Sequence, residues 1–224
     1  MYEHFINLTS LFGLSLATLF VPVVTVLLTR KPYRPLAVHV IPLGLTLMFF
    51  FLHTVSAVVY QAIGFGWAKY LFVLGASSLA MYFSLAQYRR AVDIEPQPHD
   101  GRVLLVILVL AFIMVLDNFY VGIREGYFQG VEPYLRSAFT SDMTRTVILT
   151  NALVREDGSP FMPGTDHLYQ LFWHHGAALF VSLFPQGDSY ALVYGYTLVT
   201  AYLFYVVLLW TLYALRPSLF LNYR

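Results

Sequence analysis

Long uncharged runs constrain this chain more than any other feature. From Phe5 to Thr29 there is no Asp, Glu, Lys or Arg. A helix of about 20 apolar residues crosses the roughly 30 Å hydrocarbon core of a bilayer, so this run alone points to a spanning helix. It follows Glu3 rather than a basic segment and shows no convincing small-residue cleavage site, which favours an uncleaved helix over a signal peptide. Further apolar stretches follow at about Leu36–Ile63, Ala68–Ala86, Val103–Ile123, Tyr169–Phe184 and Ala191–Leu215.

The expected fold is all-α, a polytopic transmembrane helix bundle of about six spans. Residues 1–102 form a three-helix membrane region with a cytoplasmic linker. Residues 103–224 form a second three-helix region that carries an extracytoplasmic segment at 124–166. Composition agrees, since 58% of residues are hydrophobic and only 11% charged, against about 25% charged in soluble domains. The net charge is +1 with no basic face, so nucleic acid is not an expected partner, and the absence of cysteine excludes disulfides, thiolate metal sites and iron–sulfur clusters.

Cations set the expected orientation. Arg30-Lys31-Pro32-Tyr33-Arg34-Pro35 closes the first span and Arg89-Arg90 closes the third, and the positive-inside rule makes both loops cytoplasmic. The N-terminus and segment 124–166 are then outside, in an inner or plasma membrane. One tension follows, because six strict crossings put Arg216 and Arg224 outside as well. Either the fifth segment does not cross fully, or these two arginines are tolerated there.

Several residues invite chemistry. Asp117 lies inside the fourth apolar stretch, where an ionisable group costs roughly 2.5–3.5 kcal/mol at mid-helix unless a partner or polar cavity receives it; a carboxylate at a helix end reaching interfacial water explains it equally well. Asp142 follows Ser141 at the start of a short expected helix, Met143–Val154, with Val147, Ile148, Ala152 and Leu153 on one face. Such a pair reads as a helix cap as well as a general base or metal ligand. A second short helix is expected over Pro133–Phe139, and both should lie along the membrane surface. His39 and His53 are nearly four turns apart on one helix, the spacing of two axial haem ligands. No second helix mirrors that spacing, which argues against haem, although a single haem between His53 and His174 stays open. The adjacent His174 and His175 point about 100° apart and do not form a zinc pair. Lys31 and Lys69 both fall near span ends, so no mid-membrane lysine is available for a Schiff base.

The order of features from Asp117 onward carries a resemblance. Ser141-Asp142-Met143, Asn151-Ala152-Leu153-Val154-Arg155, Gly158-Ser159-Pro160, Pro163-Gly164 and Leu168-Tyr169-Gln170-Leu171-Phe172-Trp173-His174 resemble the first outer loop of the polytopic GT-C glycosyltransferases. The resemblance covers about residues 117–215, as in a truncated or degenerate member. It implies transfer of a sugar from a polyprenyl-phosphate donor at the outer leaflet, with Asp142 and Asp117 as the catalytic carboxylates. It also implies substrate contacts from Arg145, Arg155, Tyr169 and His174, and it leaves a divalent cation open. The alternative is a non-catalytic accessory subunit that packs against other membrane subunits, in a respiratory or photosynthetic assembly.

Overall fold

The computed structural model describes residues 2–59, 62–91, 99–124, 140–154, 172–217 and 219, with side chains over 5–59, 62–90, 99–116, 146–154, 173–217 and 219. Among these residues the fold is entirely helical. The elements are α1 (Tyr2–Thr29), a 3-10 helix (Lys31–Leu36), α2 (Ala37–Val58), α3 (Trp67–Ala91), α4 (Asp100–Arg124), α5 (Thr140–Val154), α6 (Phe172–Val181) and α7 (Ser189–Leu215). The expected Pro133–Phe139 helix lies outside the described residues.

Four helices, over Phe5–Thr29, Lys31–Val58, Trp67–Arg90 and Ser189–Leu215, are long and apolar enough to cross a membrane. Their outer faces match that environment. Leu71, Phe72, Leu79 and Phe83 on α3 are all exposed, as are Leu105, Val109, Phe112 and Ile113 on α4. Apolar surface on this scale exceeds what a soluble monomer leaves in water. The boundaries have local causes. Prolines at 32 and 35 fall just after α1, where the chain turns through the 3-10 helix. Arg34 folds back and donates to the carbonyls of Leu27 and Leu28 at 3.2 and 2.5 Å, satisfying acceptors that the last turn of a helix leaves open. At the start of α7 the Asp188 carboxylate accepts from the Tyr190 amide at 2.9 Å, a helix cap immediately after the expected break at Pro185.

Side-chain contacts fix the direction of each long helix. Leu52 of α2 and Leu11 of α1 belong to one core cluster, Gly44 lies against Val23, and only the six-residue 3-10 helix separates the two helices, so α2 runs antiparallel to α1. On α3, Tyr70 meets Thr18 through hydroxyls 2.7 Å apart, and the Tyr82 ring holds the Arg30 guanidinium 5.4 Å from its centroid. α3 therefore runs parallel to α1. α7 is parallel to α1 too, since Gly195 lies against Leu8 and the Tyr202 ring lies 6.2 Å from that of Phe20. The far end of α7 meets the start of α4, where the Tyr213 hydroxyl donates to Asp100 at 2.7 Å. From there α4 packs back along α7.

Helix direction places Arg216 with the other basic residues. α7 ends beside the starts of α2 and α4, at the end of the bundle that carries Arg30, Lys31 and Arg34. It starts at the other end, which α4 approaches. Among the described residues, the helix of the fifth apolar segment ends at Val181, three residues before the expected Phe184.

Two further expectations are corrected. Asp100, read as part of an exposed linker, begins α4 and is buried against Tyr213. On α5 the buried positions are Val147, Leu149, Thr150 and Leu153, whereas Ile148 is 53% exposed. The face is rotated because α5 packs between α6 and α7 and not on a membrane surface alone. Residues from both stretches, 1–102 and 103–224, share the main core, including Leu19, Val23, Leu45, Ile107, Val199 and Val206.

The α1–α7 crossing is close enough to depend on glycine. A β-carbon at Gly195 would stand 2.8 Å from the Leu8 carbonyl oxygen, a backbone atom with no freedom to yield, whereas one at Gly13 meets nothing within 4 Å. Gly195→Ala is expected to cost about 1–3 kcal/mol in detergent unfolding experiments. Gly13→Ala should be neutral or stabilising by up to about 1 kcal/mol. Equal effects at the two positions would contradict the crossing geometry.

Candidate functional site

A polar layer is buried where α2, α6 and α7 cross, near the end of the bundle that α5 and α6 occupy. His53, on α2, and Tyr196, on α7, are 0% and 1% exposed. His53 Nδ1 is 2.7 Å from the Phe49 carbonyl. A carbonyl only accepts, so Nδ1 carries the proton, and in the neutral ring Nε2 is left as the acceptor. Tyr196 supplies the donor, its hydroxyl lying 2.9 Å from Nε2. Both ring nitrogens of His53 are thereby engaged by the protein.

α6 is clamped onto this pair. Ser56 Oγ donates to the His175 carbonyl at 3.1 Å, and the Trp173 indole donates to Thr200 Oγ1 at 3.1 Å. Just past these two attachments, Gly176 lies directly on the His–Tyr pair. A β-carbon there would overlap the His53 ring and come within 2.7 Å of the Tyr196 oxygen. Rings of Trp173, Phe180 and Phe49 surround Tyr196, with centroids 5.3, 5.4 and 6.5 Å away.

Two more titratable groups border the layer. Lys69, the third residue of α3, is fully buried, with its Nζ 3.7 Å from the centroid of the Phe65 ring. A desolvated ammonium over an aromatic face is a favourable cation–π arrangement. His175 is held well below its ordinary value, at about 4, by burial first and then by the Lys69 charge. It is neutral at physiological pH.

The residues singled out from sequence fare differently. His174 is half-buried on α6, its ring edge-on to Trp173 with centroids 5.3 Å apart. Asp117 falls on α4, two turns before Arg124, and Asp142 and Arg145 fall in the first two turns of α5. The side chains of these three lie outside the described residues, and so do Arg155 and Tyr169 entirely. Among the described residues no three His, Asp or Glu side chains gather at metal-binding range. The haem ligand pair is accounted for by protein contacts: His53 bonds as above, and His39 Nδ1 accepts from the Trp210 indole at 3.3 Å.

Tyr196, Gly176 and Ser56 were not singled out from sequence. Their signal was indirect, since a histidine at mid-span demands polar partners on neighbouring helices. Which of the chain's 17 tyrosines would answer His53 depended on tertiary register. Comparison with protein-family models, with curated proteins and with solved structures returned no match.

The His53–Tyr196 bond is testable by a double-mutant cycle of His53→Leu and Tyr196→Phe. Unfolding in detergent should give a coupling of about 0.6–1.7 kcal/mol, the range for hydrogen bonds between membrane helices. In a Gly176→Ala background the coupling should vanish, because the added methyl forces the two rings apart. A zero coupling in the parent chain would contradict the bond.

Proposed function

We propose that this chain is a membrane protein of the GT-C glycosyltransferase type, acting on a polyprenyl-phosphate sugar at the face opposite its basic clusters. In this reading α1, α2, α3, α4 and α7 cross the bilayer, five crossings in place of six. The N-terminus and the α5–α6 region lie outside, in an inner or plasma membrane. Arg216 joins Arg30, Lys31, Arg34, Arg89 and Arg90 at the cytoplasmic end, as the positive-inside rule asks.

One observation carries the proposal. α6 packs against α2 and α7 at the His53–Tyr196 layer and α5 packs against α6 and α7, so in this reading the two form a helical cap that does not cross. A cap held rigidly at the interface suits a lipid-borne substrate, whose reacting headgroup sits at that depth while its chain stays in hydrocarbon. Asp142 would act there as general base or metal ligand, with Asp117 as the second carboxylate. Arg145 and Arg155 would supply charge-assisted hydrogen bonds to the donor phosphate, and Tyr169 and His174 would line the substrate side of the α6 entry.

A second reading has its own support. The polar layer is largely self-satisfied, with His53, Tyr196, Ser56, Trp173 and Thr200 bonded within the bundle, as in an accessory subunit whose buried polar groups serve register alone.

The two readings separate in an assay with a radiolabelled polyprenyl-phosphate hexose and membranes containing the protein. Asp142→Asn is expected to lower sugar release or transfer by at least about 100-fold, the lower bound for loss of a general base, with unchanged helicity. Activity equal to that of the parent chain, or absent from both, would favour the accessory subunit.

A further inference from the structure

The α1–α3 contact leaves an open groove of roughly 460 Å³, lined by Leu14, Thr18, Val21, Pro22, Leu74 and Met81 among others. It lies within the apolar spans of both helices. Polar atoms along it face away from any occupant. Thr18 bonds to the Leu14 carbonyl and to the Tyr70 hydroxyl, Thr25 to the Val21 carbonyl, and Ser78 to the Leu74 carbonyl, at 2.6–2.8 Å. With its hydroxyl protons engaged, the groove offers mainly hydrocarbon contacts.

Charge collects at one end of it. The lining stops at Val26 on α1 and Met81 on α3, one turn before Arg30 and one residue before Tyr82. The Arg30 guanidinium lies over the Tyr82 ring, Arg89 lines a small pocket beside Tyr33, and Arg90 follows it in the last turn of α3. Arg34 is engaged with the end of α1. An apolar slot with Arg30 just past its end, and Arg89 and Arg90 about two turns farther along α3, complements a molecule with a hydrocarbon tail and an anionic head.

We propose that the α1–α3 groove and the Arg30, Arg89 and Arg90 cluster form one binding site for an anionic phospholipid, with an acyl chain in the groove and the phosphodiester among the guanidiniums. The arginine cluster is at the opposite end of the bundle from α5 and α6. It rests on the membrane reading but not on transferase activity. Planar guanidiniums meet phosphate oxygens in pairs, and basic residues at a membrane surface favour anionic lipid by an increment that corresponds to about fivefold in affinity per arginine.

The test reconstitutes the protein in nanodiscs of equal phosphatidylglycerol and phosphatidylcholine and counts retained lipids by native mass spectrometry. One phosphatidylglycerol per chain is expected to persist in preference to phosphatidylcholine. Arg89→Gln with Arg90→Gln should cut that preference by about 25-fold, and Ala17→Phe, which fills the groove from its exposed rim, should remove the retained lipid. Equal retention of both lipids, or an unchanged count in either variant, would overturn the site. If the arginine variant does not fold, Ala17→Phe decides alone. Release of the parent chain from membranes by a carbonate wash would overturn the membrane reading, and the site with it.

Discussion

The hydrogen bond between His53 and Tyr196 is the interaction on which one end of this bundle depends. Both groups are buried among apolar side chains, where an unsatisfied polar group costs several kcal/mol and no water is available to replace a lost partner. Satisfying them requires α2 and α7 at one register, and it leaves room for only a glycine on α6. A second contact of the same kind, Trp210 to His39, lies fourteen residues away on each helix. Two histidine–aromatic bonds roughly 21 Å apart pin an antiparallel seam whose packing forces alone would tolerate sliding by a turn.

That seam has a consequence for topology. With α7 fixed antiparallel to α2, and hence parallel to α1, its start lies at the same end as the finish of α2. α5 and α6 are then held at one end of the bundle. Ser56, a turn beyond His53, and Thr200, a turn beyond Tyr196, tie α6 down at His175 and Trp173, just before Gly176. The same geometry places the end of α7, and the buried Asp100–Tyr213 pair, among the basic residues. Charge and packing therefore agree on which end of the bundle is which, as they should in a chain whose local and tertiary preferences are consistent.

Much of the helical framework was legible in the sequence because apolar runs and proline-containing breaks act locally. The first expected span, Phe5–Thr29, is also the span seen in the structure, and the break at Pro185–Asp188 ends in a real cap. Nonlocal facts were not legible. Apolar length alone could not show that the stretch after Tyr169 forms a ten-residue helix, because that depends on where α7 docks. Lys69 reads as a span-end charge and Asp100 as part of the cytoplasmic linker from their neighbours in sequence, yet both are buried. The opposite case is the buried layer: Asp142 and Asp117 stood out by chemistry and motif, while the layer is built from a histidine, a tyrosine and a glycine that carry no motif.

The direction of α7 is the claim on which the rest turns, and the cysteine-free sequence makes it directly accessible. Single cysteines placed at Lys31 and at Arg216 can be labelled in sealed vesicles with a membrane-impermeant maleimide. The account predicts that both positions react from the same side, and that a cysteine at Asp188 reacts from the other. Labelling of Lys31→Cys and Arg216→Cys from opposite sides would mean an odd number of crossings between them and would contradict the parallel packing of α1 and α7.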